Sequence, residues 1–124
     1  MRDMLIEYMG KGFLDNIIAM FKQDRSLYPF VADMLGSESI HVRLGATALV
    51  EELSQDHREE MKASVPGIIK LLTHELSTIR GDAANVLGII GDRSAIEALK
   101  DCLADSHPDV REAAQEALKE IELG

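Results

Sequence analysis

Val42-Arg43-Leu44-Gly45-Ala46-Thr47-Ala48-Leu49 returns as Ile79-Arg80-Gly81-Asp82-Ala83-Ala84-Asn85-Val86-Leu87, and again as Val110-Arg111-Glu112-Ala113-Ala114-Gln115-Glu116-Ala117-Leu118. In each copy an apolar β-branched residue precedes an arginine, and small residues follow it at helical spacing. The arginines stand 37 and then 31 residues apart. Self-similarity at a period of about 20–50 residues marks stacked supersecondary units, each too small to bury its apolar face alone.

The register extends upstream of the arginines. A leucine stands eight residues before each: Leu35, Leu72 and Leu103. Pro29 and Pro66 stand 14 residues before Arg43 and Arg80, and Glu97 takes that place before Arg111. Each unit therefore reads as two helices. The first pair has Leu27, Phe30, Val31, Met34 and Leu35 inward, a stop at Gly36, a turn over 37–41 and a helix from Val42 carrying Ala46, Leu49, Val50 and Leu53. The second has one helix over 57–73, opened by a capping box of Asp56 and Glu59 and kinked or restarted at Pro66. A turn over 74–78 follows, with Ser77 or Thr78 as cap, and a helix from Ile79 to Ile90. In the third, Ser94 and Glu97 form a capping box. Pro108 suits a first helical position, and the helix from Val110 to about Glu122 has one apolar and one polar face, as a closing unit needs. Ahead of these, Met1, Met4, Leu5 and Tyr8, then Phe13, Leu14, Ile17, Ile18 and Phe21, make two amphipathic stripes split by Gly10-Lys11-Gly12.

These readings predict one all-α domain over 1–124: a right-handed α-α superhelix of about three helix pairs behind an N-terminal helical hairpin. The hairpin covers 1–23, and the repeats cover 24–55, 56–91 and 92–122. With 124 residues the chain can bury a substantial core. Aromatic residues make up only 4% and tryptophan is absent, so that core is aliphatic, which suits closely packed helices.

Formal net charge is −9, running −1 over 1–36, −3 over 37–76 and −5 over 77–124. Nucleic acid is a poor partner for such a chain, because binding a polyanion draws on clustered Lys and Arg. A basic protein or peptide fits better. Cys102 is the one cysteine, which excludes an intrachain disulfide and agrees with a reducing, cytoplasmic setting. No run is long enough for a membrane span, and the acidic N-terminus is a poor signal peptide.

The stretch Asp105-Ser106-His107-Pro108-Asp109-Val110-Arg111, followed by Ala113-Ala114, resembles a HEAT repeat. Ile79-Arg80 with Ala83-Ala84, Leu87-Gly88 and Ile90-Gly91-Asp92 resembles the short phycobilisome-lyase-type HEAT-like unit. The resemblance covers 24–122 and implies a protein-binding scaffold. It also implies two alternatives, a chromophore-lyase-like accessory enzyme and a metal-dependent hydroxylase of the kind that uses His-Glu pairs. The family pattern often sets an Asp six residues before the Arg, bonded between neighbouring repeats. Only Asp105 does so here, with Ser37 and His74 in the other two places, so a regular Asp–Arg ladder is not expected.

Catalytic signals are sparse. The four histidines occupy different registers, the single His74-Glu75 dyad falls in a turn, and no P-loop, dinucleotide fingerprint or nucleophile elbow is present. No cofactor, metal set or catalytic residue is expected, and Cys102 reads as a packed side chain. Arg43, Arg80 and Arg111 read as structural ties between repeats, since a guanidinium offers five donors in a fixed fork. Five of the six methionines fall within the first 34 residues, which makes the hairpin a candidate for self-association. The second helices of each pair are expected to line the concave face. Thr47, Glu51, Asn85, Ile89, Glu112, Gln115, Glu116 and Lys119 are the candidate partner-binding residues there. Ile89 supplies apolar contact, and Glu51 and Glu116, with Asp82 and Glu112 nearby, make the rim acidic.

Overall fold

Gly12, at φ +84, reverses the chain between α1 (Arg2–Gly10) and α2 (Leu14–Gln23) in a left-handed conformation that side chains resist. The computed structural model describes residues 1–124, and every regular element in it is helical. The first pair is a 3₁₀ turn (Arg25–Phe30) running into α3 (Val31–Leu35), then α4 (Ile40–Asp56). The second is α5 (Arg58–Met61), a 3₁₀ turn (Lys62–Ser64) and α6 (Val65–Leu71), then α7 (Ser77–Ile90). The third is a 3₁₀ turn (Arg93–Ala95), α8 (Ile96–Asp101) and a second 3₁₀ turn (Cys102–Ala104), then α9 (Pro108–Leu123).

The first member of each pair is thus a broken helix. The single helix expected over 57–73 is three pieces, with Pro66 in the first turn of α6, where a missing N–H leaves no bond unmade. Pro29 lies inside the 3₁₀ turn before α3. The shared proline register therefore marks a restart of the helix.

Several helix starts differ from the sequence reading, each for a local reason. α4 begins at Ile40, two residues early, because the Ser39 hydroxyl accepts the Val42 N–H at 3.4 Å. Asp56 ends α4 and forms no capping box with Glu59; α5 starts after His57 with no side-chain cap. Leu76, not Ser77 or Thr78, holds the N-cap position of α7, and the His74 ring nitrogen Nδ1 accepts the Leu76 N–H at 3.0 Å. Asp92, not Ser94, caps the third unit by accepting the Ser94 N–H at 3.0 Å. His107 caps α9 through the Asp109 N–H at 3.2 Å, and Pro108 takes the first helical position as expected.

The long second helices stack side by side, with α7 between α4 and α9. Small residues set the spacing. A Cβ on Gly88 would lie 2.8 Å from the Ala117 Cα, so glycine there is what lets α9 approach. Leu35, Leu49, Leu53, Ile68, Leu87 and Leu99 are buried in one continuous apolar core. The N-terminal hairpin leans across α4, and the Met9 side chain fills the space left by the absent Cβ of Gly45. Phe21 and Tyr28 meet edge to face at 5.2 Å, joining α2 to the first 3₁₀ turn. Of the hairpin's methionines, Met9 is buried, Met4 and Met20 are half-buried, and only Met1 is exposed. No helix is long and apolar enough to cross a membrane.

Candidate partner-binding groove

The three register arginines hold the turns between paired helices. Arg43 Nη1 donates to the carbonyls of Ser37 and Glu38 at 3.0 and 2.9 Å. Arg80 Nη1 donates to His74 and Glu75 carbonyls at 2.9 and 3.1 Å, and Arg111 Nη1 to the Asp105 carbonyl at 2.7 Å. Each guanidinium thus folds back on carbonyls five or six residues upstream. In the first two units the remaining donors reach the next unit. Arg80 grips Asp105 with Nε and Nη2 at 2.9 and 3.0 Å. Arg43 Nε bonds Asp82 at 3.1 Å.

The Arg80–Asp105 rung is the one the family register provides, and the Arg43 rung forms from outside that register. Asp82, two residues after Arg80 on α7, supplies to Arg43 the carboxylate that His74 lacks. Helical geometry turns it toward α4, a substitution that register alone does not reveal. The Arg80 hydrogen bonds, together with the His107 backbone N–H at 2.9 Å, hold the Asp105 carboxyl below the usual carboxylate range.

Two grooves run over the second helices and share Asp82, Asp109 and Ala113. The first, of about 440 Å³, crosses the N-terminal halves of α4, α7 and α9, between Ile40, Leu44 and Thr47 on one side and His107, Asp109 and Ala113 on the other. Ile40 and Leu44 lie one helical turn apart and are 57% and 63% exposed, an unusual display for large aliphatic side chains. Gly81 lies beneath, and a Cβ there would meet nothing within 4 Å. The second groove, of about 420 Å³, follows α9 and is lined by Asp82, Asn85, Asp109, Glu112, Glu116 and Glu120 with Ala113 and Ala117. Lys119 lies 3.8 Å from Glu116 in an exposed pair, which is weak in water.

Residues 28–119 match the family model described as HEAT repeats. The chain belongs to the HEAT repeat family. Among solved structures it is similar to two engineered proteins of the Northeast Structural Genomics Consortium. One aligns with a TM-score of 0.55 at 24% identity, over 77% of this chain and 45% of its own. The other aligns with a TM-score of 0.52 at 24% identity, over 77% of this chain and 27% of its own. The chain thus spans less than half the length of either, and the likeness carries the α-solenoid fold alone. No curated protein matches it.

Within this HEAT solenoid, the candidate residues separate. Asn85, Glu112 and Glu116 come together in the acidic groove, and Thr47 lines the apolar one. Glu51, Gln115 and Lys119 are exposed and line neither. Ile89, expected as an exposed apolar contact, is half-buried against the core. It faces a different recess beside Arg58, whose guanidinium donates to the Ile90 carbonyl at 2.6 Å. Sequence reasoning missed Ile40 and Leu44, because the turn was drawn through position 41. An exposed i, i+4 aliphatic pair becomes visible only once the helix starts at Ile40.

The chemistry-bearing side chains have structural surroundings. His107 caps α9, and His74 accepts the Leu76 N–H in the turn ahead of α7. No group of three or more His, Cys, Asp or Glu side chains converges as metal ligands. Cys102 is 6% exposed, and burial pushes its thiol above the ordinary range, away from the nucleophilic thiolate.

Proposed function

We propose that this chain is a non-catalytic protein-interaction module that receives a protein or peptide segment on its second-helix face. One observation carries the reading: two adjoining grooves, sharing Asp82, Asp109 and Ala113, that set an exposed aliphatic pair, Ile40 and Leu44, beside an acidic wall on α9. Helices fixed by the arginine ladder offer a pre-organised surface, which reduces the ordering cost of binding. The acidic wall favours a basic partner and would speed encounter at low salt. The finer likeness to phycobilisome-lyase repeats rests on the second unit alone, Ile79-Arg80 with Ala83-Ala84, Leu87-Gly88 and Ile90-Gly91-Asp92.

The test is a random peptide library panned against the whole chain. Peptides so selected should bind the triple variant Leu44→Ser, Glu112→Lys, Glu116→Lys at least tenfold more weakly, while circular dichroism and thermal unfolding stay close to the parent. All three positions are exposed, so folding should tolerate the changes. Equal binding to the variant would refute the groove as the binding face.

A further inference from the structure

Resting on that reading, the geometry points to one occupant: an extended basic peptide carrying an aliphatic anchor and, about six residues away, a pair of Lys or Arg residues at alternate positions. The argument follows one row of the repeat. The residue after each register arginine is Leu44 on α4, Gly81 on α7 and Glu112 on α9. Along that row the surface changes from exposed aliphatic, to bare backbone, to exposed carboxylate. A partner backbone can cross α7 at Gly81 because no side chain stands in the way.

The separation follows from helix packing. Neighbouring helix axes lie about 8–10 Å apart, so two steps from α4 to α9 cover about 18 Å. An extended chain advances about 3.3 Å per residue, so about six residues separate the anchor from the first basic side chain. Glu116 lies one helical turn beyond Glu112, about 6 Å along α9. Alternate side chains of an extended peptide are about 6.6 Å apart, so once the peptide turns at Glu112 to follow α9, a second basic residue two positions on meets Glu116. Asp82, already bonded to Arg43, marks the midpoint of the path and leaves the carboxylates of α9 for a partner, Glu112 without an ion pair and Glu116 in only the weak exposed pair with Lys119.

The probes are synthetic 12-residue Gly/Ser peptides titrated into the isotopically labelled full chain and followed by amide NMR. One series places leucine six residues from a Lys-Ser-Lys triplet, and another places it three residues away, each in both chain directions. Control peptides replace the leucine or both lysines with serine. In one direction, the six-residue spacing should bind at least fivefold more tightly than the three-residue spacing. It should shift the amides of Leu44, Gly81 and Glu112 together. Losing the leucine should abolish the shift at Leu44 and keep those on α9, and losing the lysines should do the reverse. Equal affinity for both spacings in both directions, with the groove amides still moving, would overturn the six-residue register and leave the groove reading standing. Binding that moves only amides away from the groove, or none at all, would overturn both.

Discussion

Gly81 and Gly88 lie two turns apart on α7 with the same helical backbone, yet alanine should act on them in opposite directions. A helix-interior glycine is less favourable than alanine by about 0.5–1 kcal/mol, largely because its unfolded chain is freer. At Gly81 a new Cβ meets nothing within 4 Å, so Gly81→Ala should collect that gain undiminished. At Gly88 the new Cβ would lie 2.8 Å from the Ala117 Cα and 2.9 Å from its Cβ. Both belong to α9 and cannot swing aside as a side-chain end can, so α7 and α9 must separate. Overpacking of this kind costs about 1–3 kcal/mol, and backbone contact places Gly88→Ala near the top of that range. Less the propensity gain, the net loss is about 2 kcal/mol. For a domain of this size about 1 kcal/mol moves Tm by roughly 4 °C. Thermal unfolding should therefore show Gly81→Ala up by about 2–4 °C and Gly88→Ala down by about 8 °C. If both variants rose together, the close approach of α7 and α9 would be wrong, and the spacing that shapes the acidic groove would be wrong with it.

Three further outcomes follow. Arg43→Ala should destabilise the fold by about 2 kcal/mol in urea unfolding, since it leaves two carbonyls without their donor and removes the tie to Asp82. Lysine should not rescue it, having no fork to span them, and Arg111→Ala, which removes one carbonyl bond, should cost less. Asp105 has its carboxyl depressed by Arg80, so its contribution to stability is complete above the unfolded carboxylate range near pH 4 and declines as pH falls through the lowered native value. Asp105→Asn should flatten the acid limb of stability against pH below about 4, and an unchanged limb would contradict the pairing. Cys102, buried with a raised thiol, should react with a disulfide reagent at pH 8 far more slowly in the native chain than in denaturant.

Much of the fold was legible in local pattern. Helical periodicity, small residues after each arginine and the repeating register carry the α-solenoid, because each unit must bury the same stripe against its neighbour. The helix starts were less legible. Ser39, Asp92 and His107 cap by reaching an N–H two or three residues on, and several residues near each turn could have done so. The acidic half of the groove was partly read, in Asn85, Glu112 and Glu116. Its aliphatic half was not, because Ile40 and Leu44 look like any other inward pair until the turn of α4 that carries them is placed.

The amino-acid sequence by itself determined the repeat, the all-helical architecture, the aliphatic core and the structural role of the arginines, since each follows from spacing along one chain. Only the tertiary structure decided which carboxylate answers Arg43, why glycine stands at 88, and which exposed residues share one groove. Those are relations between helices, set by a few ångströms of approach and by the rotation of each helix about its own axis. Neither quantity is written in the register of a single repeat.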